Sequence, residues 1–271
     1  MPHGTACSPD RGLPLIEFEN VTVTRSDVRA LDSLSLTLYE GENTAILGPN
    51  GAGKSSLVKA ITREYYPVIS KEPCTFRFRG ADVWDVFALR SHIGIVSNDL
   101  QYTFTRPLTG REVILSGFFS SIGLFNREIT PTMEERAKEI ERLLGIDHLS
   151  GRLMNTLSSG EARRFLIGRA LAFGPKTLLL DEPTSSLDLF ALHTFRQALR
   201  AVAQSGTGII LVTHNLHDII PEISRVVMMK DGRVFGDGKK TEMLTDERIG
   251  GLFSVPVHVR EENGWYYATG Y

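Results

Sequence analysis

Ile16, Phe18, Val21 and Val23 stand among polar residues in a nearly alternating pattern, and Leu34, Leu36 and Leu38 repeat it. Apolar side chains at every second position suit a strand with one buried face, so two antiparallel strands are predicted, joined by a turn over residues 25–29. Residues 44–47 (TAIL) show no polar alternation, which suits a short strand buried on both faces. Similar runs follow at residues 93–96, 177–180, 209–213 and 226–229. Helical patterns separate several of them. The expected fold class is therefore α/β, a mostly parallel sheet covered by helices, preceded by an N-terminal antiparallel β subdomain.

Residues 99–174 carry almost no strand signal, and a helical subdomain inserted into the α/β core is expected there. Thr130-Pro131 offers a cap followed by proline at the first helical position. Met133, Ala137, Ile140 and Leu144 then line one face, and Glu134 with Lys138 forms a helical charge pair. A second helix is expected over residues 160–172. Asp231-Gly232 and Asn263-Gly264 read as hairpin turns, the latter within a C-terminal hairpin over residues 255–268. Residues 1–14 read as a loose extension ahead of a single domain over residues 15–271.

The 271 residues hold 30 Lys and Arg against 32 Asp and Glu, a balance that argues against nucleic-acid binding through bulk positive charge. No apolar run approaches the ~20 residues of a membrane helix, so a soluble, cytoplasmic chain is expected. Cys7 and Cys74 are too few for a disulfide framework and fit free thiols in a reducing compartment.

Directly after the buried run at 44–47 comes Gly48-Pro49-Asn50-Gly51-Ala52-Gly53-Lys54-Ser55-Ser56, which fits G-x-x-x-x-G-K-S/T. Small, permissive residues let backbone N–H groups turn inward around a polyphosphate. Lys54 can reach the β- and γ-phosphates, Ser55 can ligate Mg²⁺, and the following helix offers its positive end. The apolar run 177–180 ends in Asp181-Glu182-Pro183, two carboxylates at the C-terminal end of a strand, where open α/β sheets bind ligands. Strand pleating is expected to separate the two side chains, with Asp181 in the Mg²⁺ shell and Glu182 polarising a water for in-line attack.

Leu157-Ser158-Ser159-Gly160-Glu161, ahead of Asp181, resembles the LSGGQ signature of ABC-type ATPases. Ser185-Ser186-Leu187-Asp188 resembles that family's D-loop, and His214, ending the 209–213 run, matches its switch histidine. The matches span residues 15–236 in the family's order and imply a P-loop NTPase core. The resemblance implies ATP and Mg²⁺ as cofactors and a head-to-tail homodimer, in which Ser158 and the Gly160 N–H of one copy face the γ-phosphate held by Lys54 of the other. His214 would bond that phosphate and hold Glu182 or the water, and Asp188 would link the two sites. Three departures stand out. Asn98 occupies the place of the family's glutamine after the 93–97 strand and is the expected Mg²⁺ ligand there, with Gln101 as the alternative. Arg25 occupies the place of an adenine-stacking aromatic, where it either stacks on the base or is an exposed turn residue. Ser159 and Glu161 replace glycine and glutamine without removing Ser158 or Gly160.

Tyr102, Phe104, Phe118, Phe119 and Phe125 fall where the family's transporters receive a membrane subunit, or else they fill the helical core. The resemblance therefore implies the ATP-hydrolysing subunit of an importer working through a separate membrane permease, peripheral to the membrane and without cargo contact. The segments 113–125 and 253–257 look most like ATPases of molybdenum and iron-chelate uptake. A soluble ATP-dependent switch is the alternative, and a P-loop kinase or GTPase leaves the 157–161 and His214 matches unexplained.

Overall fold

β1 (Pro14–Arg25) and β2 (Val28–Tyr39) pair antiparallel, and their apolar positions explain where the alternation slips. Phe18 faces Leu36 while Val21 faces Leu34, so three residues oppose two and a bulge forms at Asn20, whose φ is 52°. A second bulge falls at Ser33 (φ 50°), between the Val21–Leu34 and Val23–Leu31 pairs. Side-chain oxygens satisfy both irregular amides: Asn20 N–H donates to Ser35 Oγ and Ser33 N–H to Thr22 Oγ1. Each bulge resets the parity, so Ile16, Phe18, Val21 and Val23 all face one core. The connecting turn is narrower than expected. Only Ser26 and Asp27 lie outside the strands, both at positive φ, as a two-residue hairpin requires.

The structure, a computed structural model, describes residues 12–68, 73–97, 107–121, 123–124 and 126–271. β3 (Thr44–Leu47) is wholly buried and leads through the glycine-rich loop into α1 (Lys54–Ile61). β4 (Thr75–Phe78), which the sequence pattern did not announce, adds to the free edge of β1 to complete a three-stranded sheet. α2 (Val86–His92) precedes β5 (Ile93–Val96). A second sheet of six strands runs β5, β6 (Thr177–Asp181), β7 (Gly208–Thr213), β3, β8 (Arg225–Lys230), β9 (Arg233–Lys239). It is parallel except for β9, the edge strand that returns through Asp231-Gly232.

Among the described residues, three α-helices stand between β5 and β6: α3 (Gly110–Ser116), α4 (Pro131–Leu143) and α5 (Ser159–Leu171). Thr130 caps α4, and Ala137, Ile140 and Leu144 are buried while Met133 packs partly against them. The charge pairing on α4 differs from the expected one. Lys138 reaches Glu135, at 2.8 Å, rather than Glu134, because three residues back lies as close as four on a helix. α3 and α4 are tied by Arg111, whose guanidinium grips the buried Glu141 carboxylate with two bonds. α6 (Leu189–Gln204) joins β6 to β7.

After β9 come two short helices that the sequence pattern missed, α7 (Lys240–Met243) and α8 (Asp246–Phe253). β10 (His258–Glu262) and β11 (Trp265–Thr269) then close a hairpin around Asn263-Gly264, narrower than the 255–268 expected. Cys74 is an exposed free thiol, and Cys7 lies outside the described residues. Among the described residues no helix is long and apolar enough to cross a membrane.

Arg225, at the start of β8, is 4% exposed. It donates two bonds to Asp237 on β9, at 2.7 and 2.6 Å, and one to Glu42 ahead of β3, at 2.9 Å. Burial alone would weaken its basicity, but the two carboxylates reverse that and raise it above the ordinary arginine value. Replacing Arg225 with Leu leaves both carboxylates without their cation, an expected loss of about 3 kcal/mol in urea unfolding. A loss below about 1 kcal/mol, the size of an exposed pair, would show that the clamp is dispensable.

Candidate functional site

The C-terminal ends of β3, β6 and β7 are held side by side by their register. Leu47 pairs with Thr213, and Asp181 pairs with Val212. The ladder continues past the strands, since Gly48 N–H donates to Thr213 O at 3.3 Å and Glu182 N–H to Val212 O at 2.9 Å. Loops leaving these three ends therefore share one crevice, the place where open parallel sheets bind ligands. The glycine-rich loop is seated tightly there: a Cβ on Gly48 would lie 2.3 Å from the Met229 carbonyl oxygen, which excludes every other residue type. Gly53, at φ 96°, caps α1 from the left-handed region, and Gly232 N–H donates to Ala52 O at 3.1 Å from below. Pro49 is half-buried, Asn50 and Gly51 are exposed, Ser55 is exposed on the first turn of α1, and Ser56 is half-buried behind it.

Lys54 is only 4% exposed. Its ammonium donates to Gly48 O at 2.8 Å and Pro49 O at 3.0 Å, and lies 3.4 Å from Glu182 Oε1. The same Oε1 is 3.3 Å from His214 Nδ1, and Asn215 Nδ2 lies 3.4 Å from His214 Nε2. The structure thus brings Lys54, Glu182 and His214 into one cluster, with the carboxylate between two nitrogens. Strand pleating does not set the direction of the Glu182 side chain. β6 ends at Asp181, and Glu182 turns back with φ 47°, a left-handed conformation that is costly for a residue with a Cβ. That turn is what swings the Glu182 side chain toward Lys54 and His214. Among the described residues no three His, Cys, Asp or Glu side chains cluster as a metal cage. A hard cation at this crevice would instead draw oxygen ligands from Ser55, Asp181 and a bound phosphate.

Ser158 caps α5: its hydroxyl accepts from Glu161 N–H at 3.3 Å, and Glu161 Oε2 accepts from Ser158 N–H at 2.7 Å. Glu161, a departure from the family's glutamine, thereby completes a capping box. Burial would raise its carboxyl pKa, but the bonds from Ser158 outweigh it and the net shift is downward. Gly160 is required by contact, because a Cβ there would lie 2.8 Å from the Ala191 Cβ on α6. Asp188 caps α6, accepting from Ala191 N–H at 2.8 Å. Arg163, which sequence reasoning passed over, donates from α5 to Pro183 O at 2.6 Å. No motif marks it, and only its place one turn after Ser158 hinted at a role. Arg25 is exposed at the end of β1, where it pairs with Val28 across the turn. Asn98, Gln101, Tyr102, Phe104 and Phe125 lie outside the described residues. Phe118 instead packs partly against the core and 6.0 Å from Phe173, while Arg127 sits over the Phe119 ring.

Because Glu161 is held below its ordinary value, its contribution to stability is present at neutral pH and lost as the pH falls through the lowered value. Glu161→Gln keeps a carbonyl acceptor with no proton to gain. Its melting temperature should therefore fall less than the parent's from about pH 5 to about pH 3. Ser158→Ala should cost about 1 kcal/mol at neutral pH. Equal acid slopes for the parent and Glu161→Gln would contradict the capping box.

The family model described as ABC transporter matches residues 31–185, more than half of the chain. An uncharacterized ABC transporter ATP-binding protein, YlmA of Bacillus subtilis, is 34% identical over 250 residues, covering 90% of this chain and 93% of that protein. The hemin import ATP-binding protein HmuV of Bradyrhizobium diazoefficiens is 31% identical, covering 93% of each chain. Among solved structures, the dimeric post-hydrolysis state of an ATP-binding cassette bound to ADP and Pi superposes with a TM-score of 0.66 at 26% identity, covering 83% of this chain and 98% of that one. The chain belongs to the ABC transporter family, as an ATP-binding domain of the kind that hydrolyses ATP.

Proposed function

We propose that this chain is the ATP-binding subunit of an importer, hydrolysing ATP with Mg²⁺ between two copies of itself to drive a separate membrane permease. The observation that carries the reading is the cluster of Lys54, Glu182 and His214 at the mouth of the glycine-rich loop, with Glu182 Oε1 within 3.4 Å of both nitrogens. Backbone N–H groups of the loop after Pro49, through Ser56, cradle the phosphates, and Lys54 exchanges the Gly48 and Pro49 carbonyls for phosphate oxygens. Ser55 and Asp181, with Asn98 as the third ligand, would hold Mg²⁺, which would supply positive charge against the phosphates. Glu182 orients and polarises the attacking water, and His214 bonds the γ-phosphate while steadying Glu182. Arg25 lays its guanidinium on the adenine.

Ser158 and the Gly160 N–H of a second copy close the site from the other side, as a helix N-terminus suits an anion, and Asp188 links the two sites. The dimeric form of the related cassette supports this arrangement. A groove of about 360 Å³ between the sheet and the helices supports a permease contact; Arg90, Ser97, Ser120, Arg169 and Phe173 are among its lining residues. Phe173 is 55% exposed there. The import role named for the HmuV relative favours uptake, and association with a permease would hold the chain at the cytoplasmic face of the membrane.

Glu182→Gln is expected to slow ATP turnover by about 10²–10⁴-fold while nucleotide affinity is kept and an ATP-bound dimer accumulates on gel filtration. Normal turnover would remove Glu182 from this role. In a mixed dimer, Ser158→Arg in one copy should silence the site built on the other copy's Lys54. Single-turnover hydrolysis from both sites would refute the shared arrangement.

A further inference from the structure

We propose that Asp218, together with Thr213, is the positioning device that holds His214 against Glu182, an inference resting on the reading of His214 as the γ-phosphate switch. Asp218 is 3% exposed and Thr213 is 1% exposed, so a carboxylate has been buried one short turn beyond the histidine. Burying a charge is unfavourable unless strong bonds compensate it. Here the Thr213 hydroxyl donates to Asp218 Oδ2 at 2.5 Å. The same hydroxyl oxygen accepts the Asn215 N–H at 3.0 Å, and the Asp218 N–H donates back to Asn215 O at 3.3 Å.

These bonds enclose His214 on both sides. Thr213 precedes it on β7, Asn215 follows it, and Asp218 ties the two together across the 3₁₀ turn Leu216–Asp218. The backbone at 214 therefore cannot rotate without breaking a buried, charge-assisted bond. Leu216, Ile219 and Ile220, its neighbours along the chain, are buried too. Charge facing the loop comes from α6, where Arg196 feels the Asp218 carboxylate; His217, whose pKa is lowered by burial, lies ring to ring 5.1 Å from Tyr267 on β11. His214 Nδ1 meets Glu182 Oε1 at 3.3 Å only while this loop keeps its form. A shift of about 1 Å in the imidazole is enough to cost on the order of 10²-fold in rate.

The test compares Asp218→Ala, Asp218→Asn and Thr213→Val with the parent, each alone and in a His214→Ala background. Steady-state ATP hydrolysis and binding of a fluorescent ATP analogue are both measured. Asp218→Ala and Thr213→Val should lower kcat by about 10–100-fold and leave nucleotide affinity within about threefold. Asp218→Asn, which keeps an oxygen acceptor for the Thr213 hydroxyl, should recover most of the rate. In the His214→Ala background neither change should lower the rate further, because the group being positioned is gone. Losses that add in that background, or unchanged turnover in both single variants, would overturn the proposal. If Asp218→Ala does not fold, the near-isosteric Thr213→Val decides alone by the same criteria. A slow His214→Ala with normal turnover in both Asp218→Ala and Thr213→Val defeats this inference only, whereas a normal His214→Ala defeats the switch reading beneath it.

Discussion

Two backbone hydrogen bonds just beyond the sheet hold the site together: Gly48 N–H to Thr213 O, and Glu182 N–H to Val212 O. Each extends a parallel ladder by one rung after the strand proper has ended. The first sets the glycine-rich loop against the end of β7, and the second sets the carboxylate turn there too. The spacing of Lys54, Glu182 and His214 follows from strand register, so the reactive groups inherit the rigidity of a sheet buried on both faces. Side-chain contacts then refine what the ladder has already placed.

The parts of this arrangement that repeat a chemical demand were legible in the sequence. A strand buried on both faces has no polar positions, so residues 44–47 and 209–213 announced themselves. The glycine loop is visible because its backbone must admit phosphate. Other parts depend on partners far along the chain. β4 is four residues long and exists because β1 offers it an edge, and α7 spans a single turn. α8 did carry a signal that went unread: Thr245 caps it, with Asp246 and Glu247 in its first turn. The slips at Asn20 and Ser33 looked like imperfect alternation and are bulges. The left-handed turn at Glu182 left no trace, since nothing in Asp-Glu-Pro marks a positive φ.

The helical layer is mechanically joined to the same crevice. Arg163 reaches from α5 to the Pro183 carbonyl, and Gly160 lets α5 press against Ala191 at the start of α6. The Ser158 turn, the Asp188 cap and the turn after Glu182 are therefore linked by direct contacts. Any displacement of α5 would be felt one residue from the carboxylate, through rigid contacts rather than through a flexible linker.

The positive φ of Glu182 has an evolutionary corollary. Glycine or asparagine would occupy that backbone more comfortably, relieving a strain of about 1–3 kcal/mol. Selection for heat tolerance alone would thus drift toward those residues and discard the carboxylate. On the role proposed for Glu182, durability and turnover would compete at this position, and laboratory libraries screened only for robustness would be expected to lose the glutamate early.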